Sequence, residues 1–308
     1  MERKVIVIVG PTCSGKTKVS IGLAKLIQSE IISADSRQIY KYLNVGTAKP
    51  SEVELEEIVH HFINYLNPDI EYNVSKFEND ALTIIESLLS KNKIPIVVGG
   101  SGLYIQAIID GIFDAVDKDE NFRIEFNKKR EKFGNQFLYD ELKKVDPLSA
   151  SNMIPQNWKR IMRALEVYHI TGKPIWKFQN EHKRETDINF IQFGIEWLRD
   201  IQYKNINKRV DKMIENGLVE EIKNILKNGY SKKINALNTV GYKEIISYLE
   251  NEITLEKAIE LIKRNTRHYA KRQLTWFRKD KRIIWIKIDA ENQLNEIPGY
   301  IINHISNP

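Results

Sequence analysis

The chain has 308 residues, 42% hydrophobic and 29% charged. That composition can bury a core and is not that of a disordered chain, and the length suits two domains or one core with a large insertion. The single cysteine, Cys13, excludes an intramolecular disulfide and a multi-cysteine zinc site. The apolar run Val5–Val9 stops at Gly10-Pro11, far short of the roughly 20 residues a membrane helix needs, and no signal cleavage site follows it, so a cytoplasmic protein is expected. Net charge is +6 overall but uneven: residues 1–111 carry 11 Lys+Arg against 13 Asp+Glu, while residues 112–308 carry 36 against 28. The basic excess lies outside the N-terminal third, where it can attract nucleic acid or another anionic surface.

In chain order, Val5–Val9 reads as a first strand, followed by a glycine loop and an apolar-periodic helix from Lys16 to Ile27. Glu30–Ser33 is a second strand, Ile94–Val98 a third, Phe190–Ile195 a fourth and Ile283–Ile288 a fifth. Short apolar runs separated by helical patterns predict a parallel α/β sheet. Residues 113–188 carry no convincing strand and read as helices: Asn121–Phe133, Phe137–Val145 and Trp158–Thr171, the last stopped by Gly172-Lys173-Pro174. This stretch is expected to be a helical insertion into a core made of 1–112 and 189–308. Further helices are expected at Ile201–Asn216, Leu218–Lys227 and Thr254–Phe277. In the last, Leu255, Ile259, Ile262, Tyr269 and Leu274 mark a buried face, while Arg264, Arg267, Lys271 and Arg278 share the other.

Gly10-Pro11-Thr12-Cys13-Ser14-Gly15-Lys16-Thr17 has the spacing of a phosphate-binding loop, entered by a strand and left by a helix. Glycines let the chain approach closely, so successive N–H groups can surround phosphate oxygens at the positive end of the helix. Lys16 would neutralise phosphate charge and the Thr17 hydroxyl would bind Mg²⁺. The fold expected is therefore a P-loop NTPase-like parallel sheet core with a helical insertion domain. A kinase would usually place a Mg²⁺-binding aspartate after a hydrophobic strand. Here Ile94–Val98 runs into Gly99-Gly100-Ser101-Gly102 instead, which disfavours ordinary ATP chemistry.

Asp35-Ser36-Arg37-Gln38 follows the second strand, and strand carboxyl ends face the ligand crevice in such sheets. Asp35 could act as a general base, position a nucleophile, bind Mg²⁺ through water, or simply cap a helix starting near Ser36. Gln38 offers both a donor and an acceptor, suited to a base edge. His60 and His61 sit at adjacent positions whose side chains diverge, which argues for a structural role.

Together with Gly46-Thr47-Ala48-Lys49-Pro50, Gly99–Ile105, Trp158–Tyr168, Arg209–Glu221, Val240-Gly241-Tyr242 and Tyr269–Arg278, these segments give the sequence a close resemblance to the tRNA dimethylallyltransferases over nearly its whole length. Two mild departures are Cys13, where the family usually has Ala, and Ser101, where it usually has Thr. The resemblance implies transfer of a dimethylallyl group from dimethylallyl diphosphate to N6 of adenosine 37, beside the tRNA anticodon, with Mg²⁺ as cofactor. It implies that Gly10 through Thr17 hold the diphosphate, with Arg209 a second contact, and that Asp35 is the base. It implies RNA contacts at Asp35, Ser36, Arg37, Gln38, Ser101, Arg123, Lys159, Arg160, Arg163, Gly241, Tyr242, Arg267 and Lys271. No membrane partner and a monomeric enzyme are expected.

Overall fold

The structure is a computed structural model that describes residues 2–112, 117–181 and 184–306. The chain divides into two compact units, Met1–Ile109 with Thr186–Pro308, and Asp110–Glu185. The expected start of the insertion at 113 falls on 113–116, outside the described residues.

In the larger unit, β1 (Lys4–Val9) leads to α1 (Lys16–Ile27), β2 (Ile31–Ser33), α2 (Glu52–Glu57), β3 (His60–His61), α3 (Val74–Ser90), β4 (Ile96–Gly99) and α4 (Gly102–Asp110). The smaller unit holds α5 (Glu120–Val145), α6 (Pro147–Ser151), α7 (Trp158–Thr171) and α8 (Ile175–Glu181). The chain then forms β5 (Asn189–Trp197), α9 (Arg199–Glu215), α10 (Leu218–Lys227), α11 (Tyr242–Leu249), α12 (Leu255–Phe277), β6 (Ile284–Ile288) and α13 (Ile297–Ser306).

The strands form one sheet in the order β3-β2-β4-β1-β5-β6, with every pairing parallel. This bears out the α/β expectation and adds β3, which is too short to leave an apolar run in the sequence. Pairing positions alternate between faces. Ile6, Ile8, Ile31 and Ile96 pack with α1 and α13, through Leu23, Ala24 and Ile301. Val5, Val7, Val9, Ile32 and Val97 pack on the opposite face with Phe77, Ile85, Ile222, Tyr242 and Ile262. Both faces are covered, which is why the strands read as continuous apolar runs rather than alternating ones.

In the smaller unit, Leu138, Leu142, Ile161, Met162 and Leu165 form a core of their own. Its first helix breaks at Gly134, whose φ of 80° and ψ of 175° leave the helical region, so the two helices expected there are two arms of α5. Gly172, at φ 66°, closes α7 and donates to Tyr168 O at 2.8 Å, the expected helix stop. One expectation for α12 fails. Its buried residues are Ala258, Ile262, Ala270, Gln273 and Phe277, while Tyr269 is 38% exposed; a tyrosine counted as core by periodicity instead borders a cavity. Among the described residues no helix is long and apolar enough to cross a membrane.

Candidate active site

The loop between β1 and α1 leaves the carboxyl end of β1. Gly15, at φ 89°, precedes the helix, and a Cβ there would strike the Leu294 side chain. Cys13 takes a left-handed φ of 62°, an uncommon backbone for a side chain with a Cβ. The first turn of α1 carries no acidic residue, so its positive end stays available to an anion.

Side chains from later in the chain hold this loop. The Gln202 amide donates from Nε2 to Thr12 O at 2.5 Å, and the Trp197 indole donates to Ser14 O at 3.3 Å. Thr12 N–H donates to Gln273 Oε1 at 2.8 Å, and Gln273 Nε2 donates to Gly100 O at 2.9 Å. Arg209 donates to Thr12 Oγ1 at 3.1 Å, to Cys13 Sγ at 3.5 Å and to Thr47 O at 3.3 Å. Lys16 folds back to donate from Nζ to Pro11 O at 2.7 Å. Burial, reinforced by the Arg209 charge and only partly offset by Asp35, pushes Lys16 down to about 8.

Asp35 follows β2 in a turn, not a helix. Its Oδ1 accepts from Arg37 N at 2.8 Å and Gln38 N at 3.2 Å. The helix-capping alternative is not met, since no helix starts at Ser36, and Asp35 instead closes a turn through one carboxylate oxygen. Both bonds use Oδ1, leaving Oδ2 without a hydrogen bond among the described residues. Gln38 Nε2 donates to Thr47 O and Ala48 O at 3.1 and 3.2 Å, so its donor end ties down the loop at 43–50 rather than facing open space. Arg37 donates to Asn235 O at 2.7 Å.

The 43–50 loop is unusually well anchored. Glu221 accepts from Asn44 N, Val45 N and Gly46 N at 2.6–3.1 Å, and from the Tyr242 hydroxyl at 2.6 Å. The Tyr242 ring fills the space where a Cβ at Gly46 would stand. Lys49 donates to Tyr40 O, Asn44 Oδ1 and Asn64 Oδ1, and burial pushes it down to about 8.

One cavity of about 180 Å³ joins these parts. It is lined by Thr12, Lys16, Thr17, Asp35, Arg37, Gln38, Arg209 and Gly241 among the residues expected from sequence, and by Tyr269 and Gln273, which were not. Enclosure and the neighbouring Asp35 charge both raise the Tyr269 hydroxyl above a tyrosine's usual value. Ser101 caps the start of α4, accepting from Ile105 N at 3.1 Å. Tyr242 belongs to the Glu221 anchor rather than to the cavity lining. Arg267 donates to Asn207 Oδ1 at 2.8 Å, and Lys271 is exposed on the outer face of α12. His61 pairs with Glu30, while His60 lines the cavity with Nδ1 held at 2.8 Å from Ile58 O.

In the smaller unit Arg123 meets Glu166 with two bonds of 2.6 and 2.7 Å, and Arg163 adds a third at 2.8 Å. Glu166 is fully buried. Burial alone would raise its carboxyl, but these two arginines and Asp119 N–H hold it below its ordinary value. Lys159 and Arg160 are exposed on α7.

Gln202 and Trp197 lie outside every segment that carries the resemblance, and Glu221 and Gln273 lie inside two of them, Arg209–Glu221 and Tyr269–Arg278, without a role assigned there; all four act through contacts 21 to 261 residues away in sequence. Only the helical spacing of Gln202 and Arg209, two turns apart, hinted that they share a face.

The IPP transferase family model matches residues 38–280. The tRNA dimethylallyltransferase of Acetivibrio thermocellus is 47% identical over 287 residues, covering 92% of each chain. The chain is also similar to the crystal structure of a full-length tRNA isopentenylpyrophosphate transferase from Bacillus halodurans, at 37% identity and a TM-score of 0.72, over 99% of this chain and 97% of that one. A eukaryotic dimethylallyltransferase seen in crystals acting on tRNA matches at 30% identity and a TM-score of 0.83, over 99% of this chain and 79% of that one.

Proposed function

The chain belongs to the IPP transferase family, and on that premise we propose that it transfers a dimethylallyl group from dimethylallyl diphosphate to N6 of adenosine 37 in the tRNA anticodon loop, releasing diphosphate. The observation that supports this reading is a single cavity lined both by Lys16 and Arg209, which suit a diphosphate, and by Asp35, which suits an amine losing a proton.

In the reaction a bond forms between N6 and C1 of the dimethylallyl group while the C1–O bond breaks. The electron pair of that bond leaves with the diphosphate. Loop N–H groups, Lys16 and Arg209 stabilise the charge that develops on the leaving oxygen. Adenine's exocyclic amine is a weak nucleophile, and the proton it sheds goes to Asp35 Oδ2, the oxygen not engaged by the turn. General-base help of this kind contributes about 10²–10⁴-fold. The target base must leave its stack, which costs least in an unpaired loop.

Among the described residues no cluster of three or more His, Cys, Asp or Glu could cage a metal. Mg²⁺ does not need one, because it binds through one or two protein oxygens together with phosphate oxygens and water. The Thr17 hydroxyl, at the start of α1 and lining the cavity, fits that role. When bound, the ion would supply charge neutralisation to the diphosphate.

RNA contact is assigned to Arg267 and Lys271 on α12, and to Lys159 and Arg160 on α7. Residues 263–282 hold nine Lys+Arg and one acid, a density suited to a phosphate backbone. The test is direct. With dimethylallyl diphosphate, Mg²⁺ and unmodified tRNA, nucleoside mass analysis finds a prenylated adenosine, and with AMP as acceptor it finds none. ATP consumption with no adduct defeats the proposal.

A further inference from the structure

All three polar groups of Thr12 are held by side chains from two helices that follow β5 in the chain. Its N–H donates to Gln273 Oε1 at 2.8 Å, its carbonyl accepts from Gln202 Nε2 at 2.5 Å, and its hydroxyl accepts from Arg209 at 3.1 Å. Gln202 and Gln273 are 3% and 6% exposed; Gln273 is paired at both ends of its amide, whereas Gln202 is held through Nε2 alone and its Oε1 is buried without a hydrogen bond among the described residues. The orientation of the Gln273 amide is fixed by its partners. Its oxygen must face the Thr12 N–H and its nitrogen must face Gly100 O, because the flipped amide would oppose donor to donor and acceptor to acceptor.

The loop these side chains grip is intrinsically soft. Gly10 and Gly15 have φ of 152° and 89°, and glycine gives up the most conformational freedom on ordering. Without fixed anchors, the order a phosphate cradle requires would be imposed at the moment of binding and subtracted from affinity.

We propose that Gln273 and Gln202 are positioning residues that set the diphosphate cradle before the donor arrives, acting together through the backbone of Thr12. Gln273 also joins that loop to Gly100 at the end of β4, so α12, with its basic outer face, carries on its inner face the pin that shapes the donor site. This extends the proposed function by naming residues that prepare its donor end.

The test uses the full-length protein and inorganic pyrophosphate with Mg²⁺, measured by titration calorimetry. Gln273→Met and Gln202→Met keep side-chain volume and remove the hydrogen bonds. Each weakens pyrophosphate binding about tenfold and raises KM for dimethylallyl diphosphate in parallel. Affinity for tRNA stays within about twofold and kcat at saturating donor within about threefold. The double variant is no more than about threefold worse than the weaker single variant, because both act on one residue. Unchanged pyrophosphate affinity in either single variant overturns the proposal, as do strictly multiplicative effects in the double. If Gln273→Met fails to fold, the Gln202→Met titration decides by itself. A wild-type protein that binds pyrophosphate but prenylates no adenosine overturns the proposed reaction and leaves this assignment standing.

Discussion

Arg209 reaches Thr12 Oγ1 at 3.1 Å with one guanidinium nitrogen and Thr47 O at 3.3 Å with the other. It therefore bridges the phosphate loop and the anchored 43–50 loop across the cavity, a span that needs the fixed fork of a guanidinium. Lysine has a comparable charge but presents it as a point, with no two-armed geometry. Arg209→Lys is expected to weaken pyrophosphate binding about tenfold and to lower kcat/KM for dimethylallyl diphosphate by more than that. Steady-state kinetics with saturating tRNA provide the measurement, and a lysine variant with wild-type kcat/KM would remove Arg209 from the donor site.

Asp35 has one oxygen in the turn and one without a hydrogen-bond partner among the described residues. Asp35→Asn preserves an acceptor for Arg37 N–H and Gln38 N–H but cannot take a proton. It should lower single-turnover prenyl transfer about 10²–10⁴-fold and leave tRNA affinity within about threefold. Rapid-quench kinetics beside a filter-binding titration separate the two quantities. An asparagine variant that turns over at the normal rate rules out the base.

Lys16 is charged below about 8 and neutral above it. Anion binding needs the charged form, so pyrophosphate affinity should be flat below that pH and weaken toward tenfold per unit above it. The same depressed value means that the unfolded chain holds more protons between about 8 and 10.5. In that window Lys16 therefore makes the ligand-free protein more stable as pH rises. Lys16→Arg stays charged throughout and should flatten the affinity profile. A wild-type profile without a break near pH 8 contradicts the assignment.

Glu166 is buried between Arg123 and Arg163. Glu166 is fully buried and accepts three hydrogen bonds from these two arginines, so its removal breaks a buried charged network. Glu166→Ala should lower the Tm of the unit Asp110–Glu185 by at least several degrees and weaken tRNA binding only as a consequence. Glu166 falls below the usual carboxylate value, so its contribution is present above that value and disappears as pH falls through the lowered one. Calorimetric scans at pH 7 that match wild type would show that the pair contributes nothing.

Salt dependence tests the basic residues of α12. Each phosphate contact on a single strand contributes roughly −0.7 to the slope of log affinity against log salt. Arg267→Ala and Lys271→Ala should each make that slope shallower by about this amount, and unchanged slopes in both would take the helix out of the interface.

Chain order by itself determined much of this protein. The strand–glycine loop–helix at 4–27 was legible because it depends on local turn chemistry and on the burial of one short apolar run. The α/β class followed from several such runs spaced by helical patterns, and the two arms of α5 from two separate helical patterns on either side of residue 134. Tertiary structure alone decided the rest. Whether Tyr269 enters a core or a cavity and which side chains grip Thr12 are set by partners far away in the chain. Periodicity reports which face of an element is apolar. It does not report what stands opposite that face, and the hydrogen bonds that shape this site are made across the fold.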